Sequence, residues 1–245
     1  MIVSRTAPAI EAVQLGKRYA NATQPDEPWA VQGVTLSVMP GELTVLMGPS
    51  GSGKTTLLSM LGGLLAPTTG RLNICGERVE HLGESGRQAF RRRRIGLIFQ
   101  NYNLLSALTA AENVGVGLAL RGGDPAGAEE LLQQVGLASK ATAFPHELSG
   151  GQRQRVAIAR CLAGSPPVLL ADEPTAALDA EQGRVVMGLL KRRAREHGSA
   201  VVVVTHDARV RGFADRVFEM EDGRLRRIVR RVARSGPQEV NRVPA

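Results

Sequence analysis

A chain of 245 residues is long enough to bury a full core, yet only 3% of its residues are aromatic, so that core must be built from valine, leucine, isoleucine and alanine. Its two cysteines, Cys75 and Cys161, stand far apart with no C-x-x-C, which excludes a disulfide framework or a zinc ribbon and suits a reducing compartment. No apolar run approaches the roughly eighteen residues of a membrane span, residues 1–9 lack the apolar stretch of a signal peptide, and a net charge of +8 points to an acidic partner: nucleotide, lipid headgroup or nucleic acid.

In chain order, residues 10–15 and 35–38 alternate as strands do, around a polar, proline-bearing loop over residues 21–28. Between them lies Tyr19, just after the first strand. It has two readings: a ring stacked on a purine base, or a half-buried surface residue. Next, Leu43–Met47 reads as a buried strand and residues 56–61 as a helix. Between these two runs Gly48-Pro49-Ser50-Gly51-Ser52-Gly53-Lys54-Thr55, followed by Thr56. The stretch fits G-x-x-x-x-G-K-[ST], a phosphate-binding loop, in the strand–loop–helix context that motif requires. Its glycines let backbone N–H groups point at phosphate oxygens, and the helix N-terminus adds its dipole. Lys54 is expected to reach the β- and γ-phosphates, and the Thr55 hydroxyl to take one Mg²⁺ position.

Residues 70–76 and 95–100 read as two further strands. Arg91 to Arg94 lie between them, better read as a solvated helix end than as a nucleic-acid patch, since no aromatic is interleaved. Gln100 closes the second strand, where a neutral amide can touch both Mg²⁺ and a water. From 109 to 163 helical spacing dominates, over residues 112–120, 128–135 and 152–162, so a helical insert within an α/β sheet is expected. Leu148-Ser149-Gly150-Gly151-Gln152 opens the last of these helices and offers a second anion-binding helix start.

The α/β pattern then returns with strand 168–171, helix 182–195, strand Ala200–Thr205 and a strand pair near 217–220 and 223–225. The first of these strands runs into Asp172 and Glu173. Two carboxylates at a strand's C-terminal end are costly unless they meet a cation or a proton donor. Beside a P-loop, Asp172 is the expected Mg²⁺ holder and Glu173 is free to deprotonate the attacking water. His206 follows strand Ala200–Thr205 on the same sheet edge, able to bond the γ-phosphate. Beyond Leu225 the arginines 227, 230, 231 and 234 would share one face of a helix, and residues 235–245 read as a disordered tail. Two phosphate-binding surfaces on different subdomains are most simply explained by two chains meeting head-to-tail.

In this order, Tyr19, the P-loop, Gln100, Leu148–Gln152, Asp172-Glu173, residues 176–179 and His206 resemble the ATP-binding subunit of an ABC transporter, over residues 10–225. Residues 98–105 and 108–114 are similar to the MacB, LolD and FtsE-like group, and residues 172–179, 204–207 and 220–225 look closest to DevA-type exporter subunits. The resemblance implies an α/β P-loop NTPase core sheet with flanking helices, an N-terminal antiparallel β region and an α-helical subdomain inserted at about 101–163. One such domain would span residues 1–234. It implies ATP with Mg²⁺ sandwiched between the P-loop of one copy and Ser149, Gly150, Gly151 and Gln152 of a second copy. Further implied partners are an integral membrane permease at the cytoplasmic face of the inner membrane and, in a tripartite exporter, a periplasmic adaptor; no direct nucleic acid is expected. One departure is Ala176, where many members carry serine; the contact that hydroxyl makes across the dimer is lost, while Asp179 can still serve there. Two other classes stand beside this reading. A soluble ABC ATPase acting on DNA or ribosomes suits the charge but lacks a coiled coil, zinc modules or tandem cassettes. A P-loop kinase leaves Leu148–Gln152 unexplained.

Overall fold

The computed structural model describes residues 7–19, 28–230 and 240–242. Strand β1 (Ile10–Arg18) pairs antiparallel with β2 (Trp29–Val38) on one side and β4 (Thr69–Ile74) on the other. A short β5 (Glu77–Arg78) completes this four-stranded N-terminal sheet. The larger sheet carries β3 (Leu43–Met47), β6 (Ile95–Ile98), β7 (Val168–Asp172), β8 (Ala200–Thr205), β9 (Arg216–Glu221), β10 (Arg224–Arg230) and β11 (Val240–Arg242), in the order β11-β10-β9-β3-β8-β7-β6. From β9 to β6 all pairs are parallel; β10 and β11 add on antiparallel.

Apart from Thr44 and the terminal Asp172 and Thr205, the central strands β3, β7 and β8 are apolar because both of their faces are covered. Leu43, Val45, Met47, Val201 and Val203 join one core, shared with α3 (Ala110–Ala119), α4 (Ala128–Gln134), α5 (Gly150–Leu162) and α6 (Ala180–His197). Their alternates Leu46, Val202 and Val204 join the opposite core, with α1 (Lys54–Leu61), Phe90 of α2 (Glu84–Arg94) and the N-terminal sheet. Each such fully buried Val or Leu contributes about 1.5–3 kcal/mol. Among the described residues only helices and turns lie between β6 and β7, which is the inserted helical layer. The register Met47↔Thr205 and Asp172↔Val204 brings the carboxyl ends of β3, β8 and β7 to one edge, the edge where open α/β sheets bind ligands.

Three expectations are corrected. The basic stretch after Leu225 is no helix: Arg224–Arg230 is a strand whose Leu225 and Ile228 pack on one core and Val229 on the other. A register shift between Leu225 and Arg227 breaks its alternation, so the arginine spacing imitates a helical face. The tail is not wholly irregular, since Val240–Arg242 pairs with Arg227, Ile228 and Val229; Arg231, Arg234 and the rest of 235–245 lie outside the described residues. Gln100 does not close a strand, because β6 stops at Ile98 and Gln100 sits in the turn beyond. The proposed loop over 21–28 lies outside the described residues apart from Pro28. The arginine run does end a helix, with Arg91 donating to the Gly63 carbonyl and Arg93 and Arg94 paired with Glu77.

Candidate functional site

The loop between β3 and α1 is shaped by its glycines. Gly53 has φ 93°, and a Cβ there would run into the Ala30 carbonyl; at Gly48 a Cβ would collide with the Met220 carbonyl and approach Ser52 Oγ to 2.9 Å. The loop is thus pressed between β2 and β9 and held open toward solvent only on its outer side. Gly53 supplies no side-chain cap to α1, so the first-turn N–H groups of that helix stay available to a ligand. Lys54, only 7% exposed, folds back along the loop and donates to the Pro49 carbonyl at 2.7 Å and to Ser52 Oγ at 3.3 Å. Burial lowers the pKa of its ammonium, against the upward pull of Glu173 and Asp172.

A cleft of about 710 Å³ opens over this loop. Lys54, Thr55, Gln100, Asp172, Glu173 and His206 all line it, together with the loop backbone and Ala30. The Thr55 hydroxyl donates to Asp172 Oδ1 at 3.4 Å. Burial raises the Asp172 pKa; the Thr55 bond and Lys54 lower it, while Glu173 pushes it further up. Among the described residues no three acidic, histidine or cysteine side chains gather into a complete metal cage. The donors present are hard oxygens, a hydroxyl beside a carboxylate, which fits Mg²⁺ completing its shell with water and phosphate oxygens.

Glu173 is held more firmly than the sequence suggests. It sits in the left-handed region at φ 48°, with its N–H donating to the Val204 carbonyl at 2.8 Å. One carboxylate oxygen accepts from Thr205 Oγ1 at 2.8 Å; the other lies 2.7 Å from His206 Nδ1 and accepts from the His206 N–H at 3.2 Å. The carboxylate is fixed against the end of β8, and a non-glycine residue at positive φ is a strain that such surrounding bonds can sustain. Thr205 is the residue sequence reasoning passed over. It is fully buried, and its hydroxyl also accepts from the Asp207 N–H, so it locks the Glu173 and His206 turns together. A threonine closing a strand of one alanine and four valines was the available signal.

Two parts of the expected site stand elsewhere in the same chain. Tyr19 is half exposed with Lys17 over its ring at 5.5 Å, and it does not line the cleft. Ser149, Gly150, Gly151 and Gln152 also lie off the cleft, at the start of α5. There Ser149 Oγ accepts from the Gln152 N–H, and Gln152 Oε1 accepts from the Ser149 N–H, a reciprocal cap. A Cβ on Gly151 would strike the Gln182 side chain at 2.5 Å, and one on Gly150 would touch Tyr102 Oη at 3.3 Å. Arg160, lower on α5, reaches the carbonyls of Asn103 and Tyr102 at 2.6 and 2.9 Å. It thereby ties α5 to the turn that follows Gln100.

Residues 31–176 match the ABC transporter family. The lipoprotein-releasing system ATP-binding protein LolD of Bordetella pertussis is 42% identical over 224 residues, 90% of this chain and 96% of that one. The methionine import ATP-binding protein MetN of Mesorhizobium japonicum is 44% identical over 221 residues; the match takes in 88% of this chain but 59% of MetN. A solved dimer of the cassette MJ0796 of Methanocaldococcus jannaschii, bound to ADP and Pi, superposes with a TM-score of 0.83 at 39% identity, covering 90% of this chain and 98% of that one. With the family matched over most of the chain, and with a relative of nearly the same length at 42% identity, this protein belongs to the ABC transporter family as an ATP-binding subunit that hydrolyses ATP with Mg²⁺.

Proposed function

We propose that two copies of this chain meet head-to-tail, each ATP lying between the Lys54 cleft of one copy and Ser149–Gln152 of the other, and that the pair energises a separate integral membrane permease from its cytoplasmic face. The observation that carries this reading is the division of the site: a cleft complete on the phosphate side, and a capped Ser-Gly-Gly-Gln helix start off that cleft. In the cleft, Lys54 and the loop N–H groups bind the β- and γ-phosphates. Thr55, Asp172 and Gln100 hold Mg²⁺, which supplies charge neutralisation at those phosphates. Glu173, aimed by Thr205 and His206, takes the proton of the attacking water, and His206 keeps its ring toward the γ-phosphate. Tyr19, half exposed and outside the phosphate cleft, is the ring on which we place the purine base.

Export of lipidic or amphiphilic cargo is the transport direction we infer, from the similarity to LolD over nearly its full length; a periplasmic adaptor would then complete the assembly. The similarity to MetN supports a second reading, uptake of a small solute. The permease that copurifies with the chain from its own membranes separates the two.

The head-to-tail arrangement is tested with Glu173→Gln, which keeps the side chain's size and hydrogen-bonding reach but cannot accept the water's proton. Turnover should fall by about 10²-fold or more, while ATP accumulates a dimer in light scattering; binding that favours the dimer shifts association by mass action. Adding Ser149→Arg should abolish that dimer. Normal turnover by Glu173→Gln would remove the general base from the reading, and a dimer indifferent to Ser149→Arg would remove the shared site.

A further inference from the structure

A second cavity, of about 590 Å³, lies away from the ATP cleft, between the helical layer and α6. Its lining carries three arginines and no acidic residue. Arg184 and Arg192 come from α6, two turns apart, with Gly188 between them. A Cβ on Gly188 would meet nothing within 4 Å, so the helix surface between the two guanidinium groups is open floor. Arg155 of α5 faces them across the gap, and Gln134 at the end of α4 adds an amide.

None of the three arginines is paired with a carboxylate among the described residues. Arg155 spends one nitrogen on the Val135 and Gly136 carbonyls at 3.2 and 3.5 Å, and its Nε is buried without a hydrogen-bond partner. Arg184 donates only to the Ala180 carbonyl of its own helix. Elsewhere on this chain arginines beside acids pair with them, as Arg87 does with Glu84 and Arg211 with Glu219. Three like charges are gathered around one hollow, with donors left over.

We propose that this cavity is a binding site for a phosphate group, either of a soluble phosphomonoester or of an anionic lipid headgroup. Guanidinium forks match phosphate oxygens with paired, charge-assisted hydrogen bonds. A phosphate offers three or four oxygens in a tetrahedral array, enough for donors arriving from three directions, where a carboxylate offers two in one plane. The apolar Val185, 42% exposed at the cavity wall, leaves room for a short carbon chain beside the phosphate. A ligand held by Arg155 and by Arg184 and Arg192 at once would bridge the helical layer and the sheet-bound α6.

The test uses the full chain and two probes, glycerol 3-phosphate by calorimetry and phosphatidylcholine vesicles with or without phosphatidylglycerol by flotation. Arg184→Glu/Arg192→Glu reverses the cavity; Lys140→Glu/Arg195→Glu makes the same change of net charge on exposed residues that do not line it. The proposal expects a probe to bind the parent and the control, and to bind the cavity variant about tenfold or more weakly. Basal ATP hydrolysis should be equal in all three. Binding of glycerol 3-phosphate identifies a soluble ligand; binding confined to phosphatidylglycerol vesicles identifies the headgroup. If neither probe binds the parent, or if the control loses binding as fully as the cavity variant, there is no such site.

Discussion

Two helix starts on this chain look alike in sequence, each a serine-glycine segment leading into a helix, and they are built in opposite ways. At α1 the residue before the helix is a glycine in the left-handed region with no capping side chain, so the N–H groups face a cleft. At α5 Ser149 and Gln152 cap one another and the flanking glycines are packed against Gln182 and Tyr102. The first end is electrostatically unfinished: a buried Lys54 with a lowered pKa stands near Asp172 with a raised one. The second end is satisfied within the chain. An unfinished end binds ligand by itself, whereas a finished end presents a rigid surface to something already bound elsewhere. Substitutions at the two ends should therefore fail in different ways.

The largest effect is expected at the unfinished end. Lys54→Ala removes the buried cation that lies along the loop, and ATP affinity should fall by at least about 10²-fold, the scale of losing a charged hydrogen bond to phosphate. Its partners are the Pro49 carbonyl and Ser52 Oγ, neither a charge, so the thermal midpoint should hardly move. ATP affinity equal to the parent's by calorimetry would mean that the loop is not the phosphate site.

Next comes the link between the ends. Arg160 of α5 holds two consecutive carbonyls, Tyr102 and Asn103, and both residues are non-glycines at positive φ, 59° and 49°. That turn follows directly on Gln100, so its strain is maintained by the helix that Ser149 caps. Arg160→Ala should leave ATP affinity near the parent's and lower turnover by about tenfold, since it disturbs positioning and not phosphate binding. Arg160→Lys, able to reach one carbonyl at a time, should recover part of the rate. Equal losses in affinity and turnover would instead mark a general loss of structure.

Much of this contrast was legible beforehand, and the part that was not has a physical cause. Leu43–Met47 and Ala200–Thr205 could be read to the residue because parallel strands covered on both faces leave short, nearly continuous apolar runs, with threonine the only polar residue in either. The cleft residues announced themselves through motif spacing, and Lys54, Thr55, Gln100, Asp172, Glu173 and His206 do come together. The start of strand β10 was read at 223–225, but its continuation to Arg230 was hidden because a bulge after Leu225 destroys the two-residue alternation. The reciprocal cap of Ser149 and Gln152 has the spacing of a capping box, but in a glycine-rich segment the same residues read as ligand donors. The positive φ of Glu173 and its grip by Thr205 depend on β7 meeting β8, a contact between residues 32 apart that no local pattern encodes.

At the finished end, Ser149→Ala should cost stability and spare the first binding event. Loss of the cap leaves the Gln152 N–H without its acceptor, worth about 1 kcal/mol for such a residue. Denaturant unfolding should show that decrease, with ATP affinity of the isolated chain unchanged. No change in stability would mean the cap is not formed in solution.

The smallest effect should have the opposite sign, and it separates the two ends most sharply. Burial raises the Asp172 pKa above the unfolded carboxyl value of 3.8, so the ionised side chain is a cost to the fold. Asp172→Asn removes that charge, and its amide oxygen can still accept from Thr55 Oγ1. Below the unfolded pKa both forms are neutral and the parent pays nothing. As pH rises, the unfolded parent ionises first and the folded one only above its raised pKa, so the parent loses stability across that interval and the deficit is constant beyond it. The ligand-free variant should therefore melt slightly higher than the parent at neutral pH, by a few degrees at most, with the advantage vanishing toward acid. ATP hydrolysis should be lost at the same time, because a carboxylate suited to Mg²⁺ has gone. Ser149→Ala loses stability by breaking something complete; Asp172→Asn gains it by discharging something the fold keeps only for its ligand. A variant melting lower than the parent at neutral pH would show that Asp172 is part of the fold's own bonding, and that this end is as finished as the other.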